Sequence, residues 1–314
     1  MTYSEVVGPT RERLGPVGVW LGVLAWTHAG EERSAARRIE ELGYGSIWCP
    51  ERIGNKEAFA HVGALLAATE RIVAGTGIAS VWARHPATMQ AGGATLGAFY
   101  PGRFVLGIGI SHASSVERSG QTYEKPMDHM ARYLDGMDVT AASSPGPDVA
   151  VPRVLAALRP HMLDLARDRA DGAHSYFVPP DHTALAREAL GPDKLLIPEQ
   201  AVVLKTGGAD ARRVAREHMR GYLQLPNYVN NLKHLGYGDD DIAGGASDRL
   251  VDAIVAWGDV VDIVARIQEH LDAGADHVLL QPLGDPADAL QQLESLAPAL
   301  LGAGSLRSDR DPRP

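Results

Sequence analysis

Two short apolar runs, residues 72–78 and 104–110, contain no polar alternation. A strand wetted on one face alternates apolar and polar side chains, so runs of this kind predict strands covered on both faces, as in a parallel sheet. Parallel neighbours need a crossover, and the intervening VWARHPATMQAGGATLGAFYPG supplies one. Pro86 stands where a helix can begin, and Pro101-Gly102 where it must stop. Residues 71–109 are therefore read as one strand–helix–strand unit. Both strands end in small residues, Gly77 and Ala79 in one and Gly107 and Gly109 in the other, which predicts room for a flat ligand near the backbone.

Similar units recur on either side. Residues 17–23 (VGVWLGV), 46–49 (SIWC), 153–158, 173–178, 195–204 (LLIPEQAVVL) and 277–281 (HVLLQ) are further strand candidates. Amphipathic patterns lie between them, one ended by Gly43, another capped by Asp181, and a third capped by Asp259 and stopped by Gly274. Pro198 is expected to mark a bulge or an irregular start in its strand. Roughly eight strands, each followed by a helix, predict a (β/α)8 TIM barrel over residues 17–301, with functional groups at the strands' C-terminal ends. Two stretches exceed an ordinary crossover and are expected as insertions: one after the fourth strand, and residues 207–257 after the seventh, where glycines and aspartates break the periodicity. Residues 1–16 are expected as a loose lead and 302–314 as a flexible tail.

Composition narrows the partners. A hydrophobic share of 45% over 314 residues is ample for one full core, and a net charge of -9 argues against nucleic acid or a membrane surface. Small molecules are the expected partners. One cysteine, Cys49, excludes an intrachain disulfide framework, and the absence of an apolar signal core or membrane-length run predicts a cytoplasmic protein. The 12 histidines show no HExxH-type spacing, so no metal site is expected. Gly107-Ile108-Gly109 lacks the third glycine of a dinucleotide fingerprint.

Taken in order, GYGSIWCPE, ATERIVAGTGIASVWARHPATMQA, FYPGRFVLGIGISHA, ADGAHSYFVPP and GADHVLLQPL resemble the bacterial-luciferase-like superfamily, specifically its branch using the deazaflavin coenzyme F420. The resemblance runs from about residue 17 to 300, in the order the barrel reading requires. It implies a cis peptide at Gly77–Ile78 behind the deazaflavin ring, with Ala79 and Ser80 beside it. It also implies cofactor contacts from Ser111, His112, Ala113 and Ser115, and a phosphate site at Ala157, Leu158, Arg159 and Pro160, where a helix N-terminus and an arginine suit an anion. His174 and Ser175 complete the set. A homodimer is likewise implied.

Glu51 occupies the family's acidic position at the end of the second strand. Arg52 stands where the sugar-phosphate dehydrogenase branch has a histidine, and His112 where it has an acid, so neither proton path nor substrate is inherited. The expected reaction is hydride transfer between F420 and a small organic substrate, at a C=C, C=N or C=O bond, with His112 or Glu51 handling the proton. Trp26 and Trp82 are the expected substrate-pocket aromatics. Plainer readings stand beside these: Glu51 as a solvated carboxylate or a partner of Arg52, His112 as an incidental loop residue, and Arg212, Lys233 and His234 as water-facing charges. An FMN-dependent monooxygenase on the same barrel and a non-catalytic relative are the alternative functions.

Overall fold

The computed structural model describes residues 3–52, 54–143, 146–302 and 306. Its strands are β1 (Val17–Trp20), β2 (Ser46–Cys49), β3 (Val73–Thr76), β4 (Ala79–Ser80), β5 (Phe104–Gly109), β6 (Arg153–Ala156), β7 (Gly172–Ser175), β8 (Leu195–Leu204), β9 (Val255–Gly258) and β10 (Val278–Pro282). All pairings are parallel, and β8 pairs with β10, which pairs with β1, closing an 8-stranded (β/α)8 barrel. β4 continues β3 beyond Gly77 and pairs with β5, while β9 lies beside the C-terminal half of β8. β7 pairs with one edge of β8 as far as Pro198 and β9 follows on that edge from Ala201, while β10 pairs along the other edge from Glu199. Pro198, expected as a bulge, thus stands inside the strand where its neighbour changes.

The helices follow from local signals. Pro86 opens the helix Pro86–Phe99, with His85 accepting from the Ala87 N–H. Asp259 and Asp262 form a capping box at the start of Val260–Asp272, and Gly43 ends Ala29–Leu42 in the left-handed region. Asp181 is not the cap expected of it: Pro179 holds that position, and Asp181 lies in the first turn, where its charge complements the helix dipole.

Residues 3–14 are not a loose lead. They form the helix Tyr3–Leu14, whose Val7 and Leu14 bury against barrel-interior residues Val73, Val105, Val154, Leu195 and Leu279. Those five sit at the first or second position of their strands, so the helix covers the barrel's N-terminal end. Arg11 adds an ion pair to Asp276 at 2.8 Å, and the Gly15 carbonyl accepts from His277 Nδ1 at 2.8 Å. The expected flexible tail lies mostly outside the described residues, although Leu306 packs against the core.

Between β5 and β6 run the helices Ala113–Arg118 and Pro126–Ser143. Between β8 and β9 come Gly208–Tyr222, Pro226–His234, Asp239–Ile242 and Asp248–Ile254, which enclose a second apolar cluster around Tyr228, Leu232 and Leu250. Arg212 is clamped by Asp252 at 2.8 and 2.6 Å, and Lys233 pairs with Asp239 at 2.6 Å. These charges hold the helices together.

Candidate active site

The strands' C-terminal ends surround a cavity of about 970 Å³. Gly77, Ile78, Ser80 and Gly109 line it, and the Gly77–Ile78 peptide is cis. The glycines are required by close packing rather than by free space. A Cβ on Gly77 would lie 2.6 Å from Trp20 Nε1, and one on Gly109 2.5 Å from the Ile78 side chain. The Trp20 indole meanwhile donates to the Gly77 carbonyl at 3.1 Å. The expected open room at these two positions is filled by side chains that shape the wall.

Glu51 reaches the wall, but its carboxylate is committed. It accepts both Arg84 Nη2 and, at 2.9 Å, Arg84 Nη1, together with the N–H of Ser80 at 2.8 Å and of Ala58 at 3.3 Å. The side chains of Arg84 and Glu51 are only 8% and 4% exposed. Both readings of Glu51 as proton carrier and as partner of Arg52 are therefore corrected. It anchors β4 against the loop after β2.

His112 lines the cavity, half-buried, with Nδ1 3.1 Å from Asn227 Oδ1 and its ring 5.4 Å from that of Tyr228. Burial lowers its pKa, opposed by the Asn227 hydrogen bond. With Asn227 Oδ1 accepting, Nδ1 carries the hydrogen and Nε2 keeps a lone pair. His174 is fully enclosed, and burial pushes it down to about 4. Its Nδ1 is 2.8 Å from the Ile197 carbonyl, a group that can only accept, so this ring is neutral with Nε2 as an acceptor.

Ser111, Ser115, Ala157, Leu158 and Trp26 also line the cavity, Trp26 at the rim with 70% exposure. Other expected residues lie off its wall. Trp82 is corrected outright: its indole donates to the Ile110 carbonyl at 2.7 Å, and its face stacks on His129 at 3.9 Å. Ala79 is buried in the core, and Ser175 donates to the Ala157 carbonyl at 3.0 Å. Ala113 is exposed at the start of its helix, where it does not reach the wall. Arg159 is the N-cap of Pro160–Arg169, and Pro160 lines a smaller adjoining groove that shares Leu158 with the main cavity.

An aromatic wall escaped sequence reasoning. Tyr176 follows β7, while Tyr222 and Tyr228 come from the helices between β8 and β9. Tyr176 Oη is 2.8 Å from Tyr222 Oη and donates to Gln281 Oε1 at 2.8 Å, so Tyr222 is the donor to Tyr176. Beneath them Glu199 is buried, with Oε2 accepting the Phe177 N–H at 3.1 Å and Oε1 unpartnered, and burial pushes it up to about 8. Phe177 itself sits at φ 62, a left-handed conformation that this hydrogen bond helps to fix. The one signal available was the tyrosine-rich GYLQLPNY, unusual in a polar insertion.

The fold and this cavity define a barrel protein whose chemistry is carried at the strands' C-terminal mouth. The family model described as luciferase-like monooxygenase matches residues 15–277, and the chain belongs to that family. Among curated relatives, the 5,10-methylenetetrahydromethanopterin reductase of Archaeoglobus fulgidus is 24% identical over 293 residues, covering 78% of this chain and 87% of that protein. The corresponding reductase of Methanolobus tindarius is 25% identical over 153 residues, 44% of this chain and 47% of its own length, so that the match spans about half of it. An F420-dependent glucose-6-phosphate dehydrogenase of Microbacterium testaceum is 30% identical over 109 residues, 32% of each chain. In three dimensions the chain is similar to an F420-dependent secondary alcohol dehydrogenase, with TM-score 0.73 at 18% identity over 91% of this chain and 99% of that one. It is also similar to an EDTA monooxygenase from Chelativorans sp. BNC1, with TM-score 0.71 at 14% identity over 94% and 95% of the two chains.

Proposed function

We propose that this protein is an F420-dependent oxidoreductase that moves a hydride between the deazaflavin coenzyme and a small organic substrate. The observation that carries this reading is the cavity of about 970 Å³, large enough for a tricyclic ring and a substrate together, with Ser80, Ser111, His112, Ser115 and His174 among its lining residues. The F420-dependent dehydrogenase among its sequence relatives supports the choice of coenzyme. Ile78 and Ser80 would back the ring, His174 and Ser111 would meet its polar edge, and the phosphate would lie beyond Leu158 toward Arg159 at a helix N-terminus. When bound, the deazaflavin supplies a hydride-carrying carbon that reacts poorly with oxygen. His112 takes up or returns the proton that accompanies the hydride, through Nε2. The protein works as a homodimer.

Anaerobic mixing with reduced F420 and a panel of unsaturated acceptors tests the reading. Acceptor-dependent reoxidation of the coenzyme is expected. Reoxidation that needs only oxygen, together with tight binding of FMN, would place the protein among the oxygen-using members instead.

A further inference from the structure

Among the described residues that line the cavity, no buried ionic group is free to meet a charged ligand. Glu51 is consumed by Arg84, and burial keeps His174 and His218 neutral, both pushed down to about 4. The remaining charged residues on the wall, Arg52, Arg118 and Glu217, are all exposed at the mouth, and Arg118 is folded onto the Ser114 carbonyl at 3.0 Å and Ser115 Oγ at 3.3 Å. An anionic group placed at depth would lose its water and meet no counter-charge.

Against this neutral interior stands Tyr228. It is 7% exposed and lines the cavity, and its ring is wedged edge-on between Phe177 at 5.4 Å and Tyr222 at 5.3 Å. The hydroxyls of Tyr176 and Tyr222 are spent on each other and on Gln281, whereas the Tyr228 hydroxyl has no hydrogen-bond partner among the described residues. Burial holds this phenol protonated, so it is a donor waiting for an acceptor. Its ring also packs on His112, which brings the donor beside the imidazole that handles the proton.

We propose that the substrate is a neutral conjugated carbonyl compound, or the alcohol related to it, with its oxygen held by the Tyr228 hydroxyl and its apolar body among the tilted rings of Tyr176 and Tyr222. This inference rests on the F420 reading for its reaction and on the cavity alone for its binding. Tyr228 fixes which acceptor is taken, because a buried donor left unpaired penalises any ligand that lacks an oxygen at that point.

Calorimetric titration of the coenzyme-free protein with benzylideneacetone and, separately, with glucose 6-phosphate tests it. The ketone is expected to bind and the sugar phosphate not to. Tyr228→Phe, which keeps the ring, is expected to weaken the ketone about 10-fold and to leave F420 affinity within about twofold. Preference for the sugar phosphate, no binding of the ketone, or equal ketone affinity in Tyr228→Phe would each overturn the inference. F420 affinity is read in its own titration, so its failure counts against the proposed function and leaves the ketone result to decide this one.

Discussion

A carboxylate that receives a guanidinium and two backbone amides has little left to offer a substrate. Glu51 is in that position, so Arg84→Ala should lower the unfolding free energy by about 3 kcal/mol, because it strands a buried charge. Urea denaturation measures this, and a loss below about 1 kcal/mol would return Glu51 to consideration as a proton carrier. His112 makes the opposite prediction. His112→Gln should cut turnover about 100-fold with little change in melting temperature or F420 affinity, and unchanged turnover would remove it from the mechanism. Because burial lowers the His112 pKa below 6.5, substrate oxidation, which needs neutral imidazole, should be flat above that pH and fall at lower pH. The sequence could nominate both residues, since both follow strands that point at one mouth. It could not tell them apart, because the difference lies in Arg84, 33 residues away from Glu51 in the chain.

Among the elements, most barrel strands were legible because short, mostly apolar runs bounded by turn residues are too brief for a buried helix, and the stretch 195–204 matches β8 end to end, whereas β9 lies almost wholly inside the stretch expected as an insertion. The N-terminal helix was not. Its sequence YSEVVGPTRERL is mostly polar and carries Pro9 inside, so local propensity speaks against it. What stabilises it is tertiary: Leu14, with no exposed surface, fills the barrel's lower end. Leu14→Ala should therefore cost about 2–5 kcal/mol, readable as a shifted denaturation midpoint. A change under about 0.5 kcal/mol would mean that the helix is not docked. The aromatic wall was illegible for a related reason. Tyr222 ends a helix whose apolar periodicity, through Ala211, Val214, Ala215 and Met219, reads as ordinary packing, Tyr228 lies in the irregular stretch beyond it, and only the closed barrel carries both back over the mouth.

For the whole molecule, buried titratable groups set a window of stability. Glu199 is pushed from 4.5 up to about 8, so the folded state holds its proton longer than the unfolded chain does. Its contribution is complete below pH 4.5 and is lost as pH rises toward 8, by up to about 4 kcal/mol. His174, His218 and His277, pushed down to about 4, and His270, to about 3, act in reverse. The unfolded chain takes up their protons first, so stability present above pH 6.5 is lost as pH falls toward 4. Unfolding free energies measured across this range should peak near pH 6–7, and Glu199→Gln should flatten the alkaline limb alone. A flat profile would contradict these burial assignments.

What the barrel's mouth accepts decides the function, and parallel titrations of the purified protein with F420 and FMN test it most directly. Saturable binding of F420 at about micromolar or tighter, with FMN at least about 100-fold weaker, is the expected result. Selective binding of FMN with none of F420 would contradict it.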